Sequence, residues 1–263
     1  MKGIEMPTKK AFTLIELLVV IAIIALLLSI VLPSLTLVKG RAREVASMTN
    51  MRSLMTAWLL YADENDSKLV SSVVWPTTSP EHWVFPVDPS LSISDHEKEL
   101  AGIRNGALWP YLEDVEAYHS PGDRNWRTET TAYTQWMSPY RSYAISDSMN
   151  GNVRPDYMYR KLGNIKSPAS RFVFTEEDDN NGANSSSWIL GNPGTNSWWD
   201  PLAAWYSKGT GSIFGFADGH ADKRIWENQG TRDWIESKNA GYTPPADDSD
   251  FMFIQRSYYH NYR

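Results

Sequence analysis

The first forty positions of the chain divide into a short polar start and a long apolar run. Residues 1–11 (MKGIEMPTKKA) carry three lysines, and from Phe12 the chain is almost wholly apolar as far as Val38. Within that run, residues 17–32 are interrupted only by Ser29, and at about 1.5 Å per residue they predict a helix that enters a lipid bilayer. The lysines favour a cytoplasmic N-terminus, which would place the rest of the chain outside the cytoplasm.

Beyond the apolar run the pattern becomes that of an amphipathic helix. Between residues 39 and 62 apolar side chains recur at steps of three and four, namely at Val45, Met48, Met51, Met55, Trp58 and Leu59. This spacing predicts a helix with one face against a globular domain. Pro33 should kink or locally melt the helix before that point, because it lacks an N–H and crowds the preceding turn. The polar residues 63–67 end the pattern.

Short apolar segments bounded by glycine, proline, asparagine or aspartate predict strands in the rest of the chain. The best candidates are residues 140–145, 171–175, 212–217 and 223–226. Asp218-Gly219 between the last two predicts a hairpin turn, since glycine accepts a positive φ. These segments and the helix predict an α+β fold, in which a long N-terminal helix packs against a small antiparallel β-sheet with long loops.

Length and composition narrow the possibilities further. The chain of 263 residues suffices for one helical segment and one globular domain of about 200 residues. The predicted divisions are residues 1–11 as a leader, 12–38 as an apolar transmembrane or filament-core helix, 39–62 as its amphipathic continuation and 63–263 as the globular domain. A net charge of −6 disfavours a nucleic-acid partner, and the lack of cysteine excludes disulfides and thiolate sites.

One charged residue is out of place in the apolar run. A carboxylate such as that of Glu16 costs roughly 2.5–3.5 kcal/mol at the centre of a bilayer and less near its surface, so Glu16 needs a partner. An ordinary secretory signal would be cut after the apolar region, at small residues. No such site follows here, because Pro33 and a basic helix come next.

The segment Lys9–Glu16 (KKAFTLIE) resembles the type III signal of type IV pilins and type II secretion pseudopilins. The resemblance implies that prepilin peptidase cuts between Ala11 and Phe12 and that the new amine of Phe12 is methylated. It also implies that Glu16 pairs with the N-terminal amine of a neighbouring subunit during assembly. The family usually has glycine before the cut, where this chain has Ala11.

The globular part is similar to a pilin-like group named for a C-terminal H-X9-DG element and common in planctomycetes. The matching pieces are NMRSL, YADEND, LWPYL, SPGD, SYA and FGFADGH. The residue ten before Asp218 is Lys208, where the group's name requires histidine. Ser47 and Ser120 stand where many relatives have cysteines, and the absence of both is consistent with a pairing of those cysteines in the relatives.

Two segments offer candidate chemistry. Glu176, Glu177, Asp178 and Asp179 supply oxygen ligands of the kind that Ca²⁺ prefers, and major pseudopilins as a group have a calcium-stabilised loop. The alternative is a solvated acidic loop. The segment Asp218–Asp222 could belong to a metal or acid–base site, but a hairpin turn explains it better.

These observations favour a structural subunit of a type IV pilus-like filament or a type II secretion pseudopilus. Its expected partners are itself, other pilins, prepilin peptidase and, before assembly, the inner membrane. The alternative is a membrane-anchored or filament-tip protein that binds surfaces or glycans through clusters of aromatic side chains. Packing in the core also explains these clusters. They are Trp188, Trp198-Trp199, Trp205-Tyr206 and Tyr258-Tyr259. Enzymatic activity is not expected, since neither an H-x-x-x-H nor a G-x-S-x-G motif occurs.

Overall fold

The architecture was derived from a computed structural model. It describes residues 13–73, 80–85, 88, 90–123, 140–152, 155–178, 187–191, 195, 197–237 and 241–259. The chain forms two compact units, Met1–Ala42 and Arg43–Arg263.

The apolar run and its amphipathic continuation form one helix, α1 (Leu14–Glu64). The helix continues through Pro33, so the expected local melting does not occur. Beyond Glu64 the chain leaves the helix because Asp66 and Ser67 adopt positive φ values of 54° and 60°. The N–H of Ser67 then donates to the carbonyl of Ala62, which closes the last turn.

Five strands of the described residues form one sheet in the order β3-β1-β2-β4-β5. They are β1 (Tyr143–Ser146), β2 (Phe172–Glu176), β3 (Ser187–Trp188), β4 (Gly211–Phe216) and β5 (Ala221–Ile225). The pairs β1–β2, β2–β4 and β4–β5 are antiparallel, as expected. The pair β1–β3 is parallel, so the sheet is mixed. Strand β3 follows β2 in the chain but lies on the other side of β1, so no hairpin joins it to β1.

The two faces of the sheet contribute to different hydrophobic clusters. One cluster combines α1 with residues such as Tyr143, Ile145 and Ile213. The other contains Ala144 and Phe214 together with helices α3 (Gln229–Ser237) and α4 (Ser249–Tyr258). Neighbouring strand residues thus point to opposite faces, as the pleat of a β-strand requires.

Three helices of nine or ten residues were not predicted from the sequence. They are α2 (Asp95–Arg104), α3 and α4. Each lies in a part of the chain for which the sequence pattern predicted no helix. The starts of α2 and α4 carry N-caps, in which Ser94 and Asp248 accept hydrogen bonds from backbone N–H groups of the first turn. These caps were overlooked because no long apolar repeat follows them.

Candidate functional site

The first part of α1 presents an apolar surface on every side. All side chains from Leu14 to Val38 are exposed in the single chain, and among the described residues α1 is the one helix long and apolar enough to cross a membrane. At about 1.5 Å per residue these 25 residues span roughly 37 Å, whereas the hydrocarbon core of a bilayer is about 30 Å thick. The length and composition of this part of the helix therefore suit a membrane-anchored precursor.

Glu16 lies in the first turn of this apolar surface and has a partner within the chain. The backbone N–H and the hydroxyl of Thr13 both donate to Oε2 of Glu16 at 2.8 Å, and the N–H of Glu16 donates to the Thr13 hydroxyl at 3.3 Å. This reciprocal arrangement is a capping box, which uses the carboxylate to close the start of the helix. Ala11 and Phe12 lie outside the described residues, so cleavage between them stays a prediction.

The second part of α1 contains a buried serine, Ser47, that is hydrogen-bonded to the sheet. The hydroxyls of Ser47 and Ser120 donate to Oε1 of Glu176 at 2.7 and 2.8 Å, and the N–H of Ile213 donates to Oε2 at 2.9 Å. The hydroxyls of Tyr143 and Tyr206 lie 2.8 Å from those of Ser47 and Ser120 respectively. We call these six residues the Glu176 cluster.

Burial controls the electrostatics of the Glu176 cluster. Burial raises the pKa of Glu176 from its ordinary value of 4.5 to about 7, although the hydrogen bonds from Ser47, Ile213 and Ser120 oppose the shift. Burial also raises the pKa of Tyr143 and Tyr206, and the nearby Glu176 adds to both shifts. Both phenols therefore keep their protons.

Ser47 and Ser120 are brought together by the fold. Their hydroxyl oxygens lie 3.2 Å apart and both residues are buried. The sequence comparison had marked these positions only as sites of cysteine in relatives, and it had missed Glu176, Tyr143, Tyr206 and Ile213 as their partners. A signal was present, because Ser47 is a polar residue on the apolar face that Met51 and Met55 define at helical spacing.

The acidic segment that begins at the last residue of β2 is not a solvated loop where the structure describes it. Glu176, Glu177 and Asp178 are all buried, and Asp179 lies outside the described residues. Oε1 and Oε2 of Glu176 both accept hydrogen bonds from the protein. In the described part of the chain no three His, Cys, Asp or Glu residues are grouped so as to hold a metal ion. Calcium binding by Glu176–Asp179 therefore remains a prediction.

The Asp218-Gly219 segment forms the predicted turn between β4 and β5. Gly219 has a φ of 96°, and Oδ1 of Asp218 accepts hydrogen bonds from the backbone and the ring of His220. The His220 ring stacks on Phe216 at a centroid distance of 4.5 Å. These contacts are local to the hairpin and account for Asp218 and His220 without a metal or a catalytic role.

Most of the aromatic residues belong to the core. Trp188, Trp198, Trp226 and Trp234 pack together on the face of the sheet that is opposite α1. Trp199 is 42% exposed, and Trp205 is partly buried.

A surface groove of about 670 Å³ lies beside Trp205. Its lining includes Asp178, Lys208, Gln229 and Arg232. This lining combines one aromatic side chain with several charged or amide groups.

The start of the chain matches a known family model. Residues 6–32 match the prokaryotic N-terminal methylation motif. The match covers the segment that contains Ala11, Phe12 and Glu16, together with most of the apolar run. The motif and the exposed apolar helix support a pilin-like structural role.

A curated relative points the same way. The chain is 37% identical over 60 residues to the type IV major pilin protein PilA of Myxococcus xanthus (strain DK1622). The aligned stretch is 23% of this chain and 27% of that pilin, so the chain spans about a quarter of the length of the relative it matches. No solved structure matches the chain. The motif and this similarity support a pilin-like structural role.

Proposed function

We propose that the chain is a structural subunit of a type IV pilus-like filament or a type II secretion pseudopilus. It is made as a precursor in the inner membrane, with residues 1–11 in the cytoplasm and the globular domain outside it. Prepilin peptidase cuts between Ala11 and Phe12 and the new amine is methylated. The observation that carries the proposal is the exposed apolar surface of residues 14–38. Its first turn contains one carboxylate, Glu16, which would need a partner in an apolar environment.

This surface suits two successive environments. Roughly 25 cal/mol are lost for each Å² of apolar surface left in water, so a helix that is apolar all round must stay in lipid or be buried by other helices. In a filament the same surface packs against copies of itself and other pilins. Because each copy uses different faces for its two neighbours, the contact does not close and subunits can be added without limit.

Glu16 has a different partner at each stage of this scheme. In the precursor its carboxylate is held by Thr13. After the cut, Phe12 carries a cationic amine, and pairing of that amine with Glu16 of a neighbour would offset the charge of both groups inside an apolar filament core. The proposal therefore requires Glu16 for assembly but not for cleavage.

The test is intact-mass measurement and N-terminal sequencing of the protein from membranes and from sheared filaments. A mature chain that starts at methylated Phe12 and occurs in the sheared fraction is the expected result. Glu16→Ala should be cut normally but should be at least about tenfold depleted from filaments, which corresponds to about 1.4 kcal/mol of assembly free energy.

Asp63→Ala is the matched control, since Asp63 is an exposed acid at the other end of α1. This variant should be cut and assembled like the parent chain. An uncut chain that starts at Met1 and stays in the membrane would overturn the proposal.

A second candidate function is display of a surface-binding or glycan-binding domain, and the groove beside Trp205 favours it. Aromatic rings stack on the apolar faces of sugars, and Asp178, Gln229 and Arg232 could bind hydroxyls. Under this candidate Trp205→Ala abolishes binding to a glycan array, whereas Trp199→Ala, outside the lining of the groove, leaves it intact. Equal binding by both variants would remove the candidate.

A further inference from the structure

A short run of cations follows directly on the apolar part of α1. Lys39, Arg41 and Arg43 come immediately after Val38, and all three residues are exposed. They lie within about one and a half turns of the helix. In the described part of the chain none of the three forms an ion pair. We call these three residues the cationic collar.

The acidic residue next to the collar already has a partner. Nζ of Lys223 in β5 donates to Oε1 of Glu44 at 2.6 Å. The charge of Glu44 is therefore offset by Lys223, and the positive charges of the collar remain, although the whole chain has a net charge of −6. The collar thus lacks a counter-charge and suits an anionic partner.

The length of the apolar part of α1 places the collar at the surface of a bilayer. If residues 14–38 are centred in the membrane, each end lies about 19 Å from the midplane, because a helix rises about 1.5 Å per residue. The hydrocarbon core ends at about 15 Å from the midplane and the headgroup layer at about 20–22 Å. Lys39 then lies in the headgroup layer. Arg43 lies at about 25 Å, from where its long side chain can reach back to the lipid phosphates.

The collar surrounds the helix instead of occupying one face of it. With 3.6 residues per turn, Lys39 and Arg43 lie on one side of the helix, about 40° apart, and Arg41 lies on the opposite side. Among the described residues no atom would lie within 4 Å of a Cβ added to Gly40, so this turn of α1 is open. A protein partner would need acidic groups on two sides of the helix, whereas lipid headgroups surround a spanning helix completely. The distribution of the charges therefore favours lipid.

We propose that the cationic collar binds the phosphate groups of anionic phospholipids at the non-cytoplasmic surface of the inner membrane before the subunit is assembled. This inference rests on the proposed function, because it requires residues 14–38 to span that membrane. A basic residue near an anionic lipid surface strengthens binding by about fivefold. The three residues together enrich anionic lipid around this turn of α1 and fix the depth of the helix in the bilayer.

The experiment measures which lipids surround the collar. Since the chain has no cysteine, Ala42→Cys gives the full chain a single site for a fluorophore beside the collar. The labelled chain is placed in phosphatidylcholine vesicles with a trace of nitroxide-labelled phosphatidylglycerol or nitroxide-labelled phosphatidylcholine. Quenching by the phosphatidylglycerol should correspond to a local enrichment of at least about fivefold. Equal quenching by the two lipids would overturn the proposal.

Variants of the labelled chain assign the enrichment to the collar. The triple change Lys39→Gln, Arg41→Gln and Arg43→Gln should abolish it. Arg52→Gln is the matched control, since Arg52 is an exposed cation of the same helix that lies about 39 Å from the midplane, beyond the reach of screened charges. This control should keep the enrichment. Enrichment that persists in the triple variant would overturn the proposal, because cations elsewhere in the chain would then attract the lipid.

A second triple variant separates charge from shape. Lys39→Arg with Arg41→Lys and Arg43→Lys keeps the positive charge at each position and should keep the enrichment. Loss of enrichment in this variant would overturn the proposal, because lipid phosphates attract both kinds of cation.

Flotation with the vesicles after a carbonate wash separates this inference from the proposed function. A chain that does not float has not inserted, which would overturn both. A chain that floats without enrichment of phosphatidylglycerol would overturn the role of the collar alone. A collar variant that is quenched like the parent chain but is depleted from sheared filaments would also overturn it, since the collar would then bind a neighbouring subunit.

Discussion

The two parts of helix α1 are both rich in apolar residues, yet only one of them is buried within the chain. From Leu14 to Val38 every side chain is exposed. Further along, one face is buried, at Ser47, Met51, Leu54, Met55, Ala57, Trp58, Tyr61 and Ala62. The difference lies in the pattern, because apolar residues cover all sides of the first part and only one face of the second. Periodicity, more than apolar content, indicates whether a helix finds its partner inside its own domain.

The largest expected effect comes from removing a side chain from the buried face. Trp58 is fully buried in the cluster that combines α1 with part of the sheet, so Trp58→Ala should lower the free energy of unfolding by about 3–5 kcal/mol. The matched change Leu27→Ala in the first part should leave domain stability unchanged, since Leu27 is 58% exposed. Denaturant unfolding of both variants measures the contrast. A large loss from Leu27→Ala would show that the first part also stabilises the domain.

A charge in the middle of the first part of α1 should affect membrane insertion and leave the stability of the globular domain unchanged. Leu26→Lys should disfavour membrane insertion by about 2.5–3.5 kcal/mol and leave the unfolding of the globular domain unaffected. Leu26→Met is the control, because it keeps an apolar side chain of similar size. Carbonate extraction of membranes reports insertion. Full retention of the lysine variant in the membrane would contradict the assignment of residues 14–38 to the bilayer.

A smaller effect is expected at Gly215, where the buried face of α1 lies close to the sheet. A Cβ atom on Gly215 of β4 would lie 2.8 Å from Cγ of Met55 and 2.9 Å from Sδ of Met51. Gly215→Ala should therefore displace the side chains of Met51 and Met55 and cost about 1–3 kcal/mol. Gly163→Ala, with no atom within 4 Å of the new Cβ, should be nearly neutral. Equal stabilities in denaturant unfolding would argue against close packing of α1 on β4.

The smallest effect concerns the ion pair at the start of the second part. Nζ of Lys223 lies 2.6 Å from Oε1 of Glu44, and both side chains are about a quarter exposed. Such pairs contribute about 0–1 kcal/mol, so Glu44→Gln should change the free energy of unfolding by less than the other substitutions in the helix. A double-mutant cycle with Lys223→Met isolates the pair. A coupling energy well above 1 kcal/mol would mean that the pair is more strongly shielded from solvent than its exposure indicates.

The sequence predicted those elements whose pattern of apolar and turn residues lies within one short segment. The helix followed from its two apolar patterns, and β1, β2, β4 and β5 followed from short apolar segments between turn residues. Asp218-Gly219 gave the hairpin because glycine at that position adopts a positive φ. What these features share is that neighbouring residues alone determine them.

Features that depend on distant contacts could not be predicted. The two-residue strand β3 has no pattern of its own and exists because it pairs with Ile145 and Ser146. Helices α3 and α4 are short and are held by packing on the face opposite α1. The Glu176 cluster depends on where the fold places five other residues, which the sequence alone does not reveal. Glu176 was therefore predicted only as a calcium ligand in an acidic segment. The roles predicted for Ala11, Phe12 and Glu16 rest on a contiguous motif and stay predictions.

The contact between Ser47 and Glu176 also has a consequence for the newly made chain. Ser47 leaves the ribosome 129 positions before its partner, which at about 5–20 residues per second is a delay of roughly 6–26 s. During that time the buried face of α1 has no sheet to cover it. An apolar face that stays uncovered for this time favours aggregation or chaperone binding, so the order of synthesis exposes the chain to both until β2 has been made.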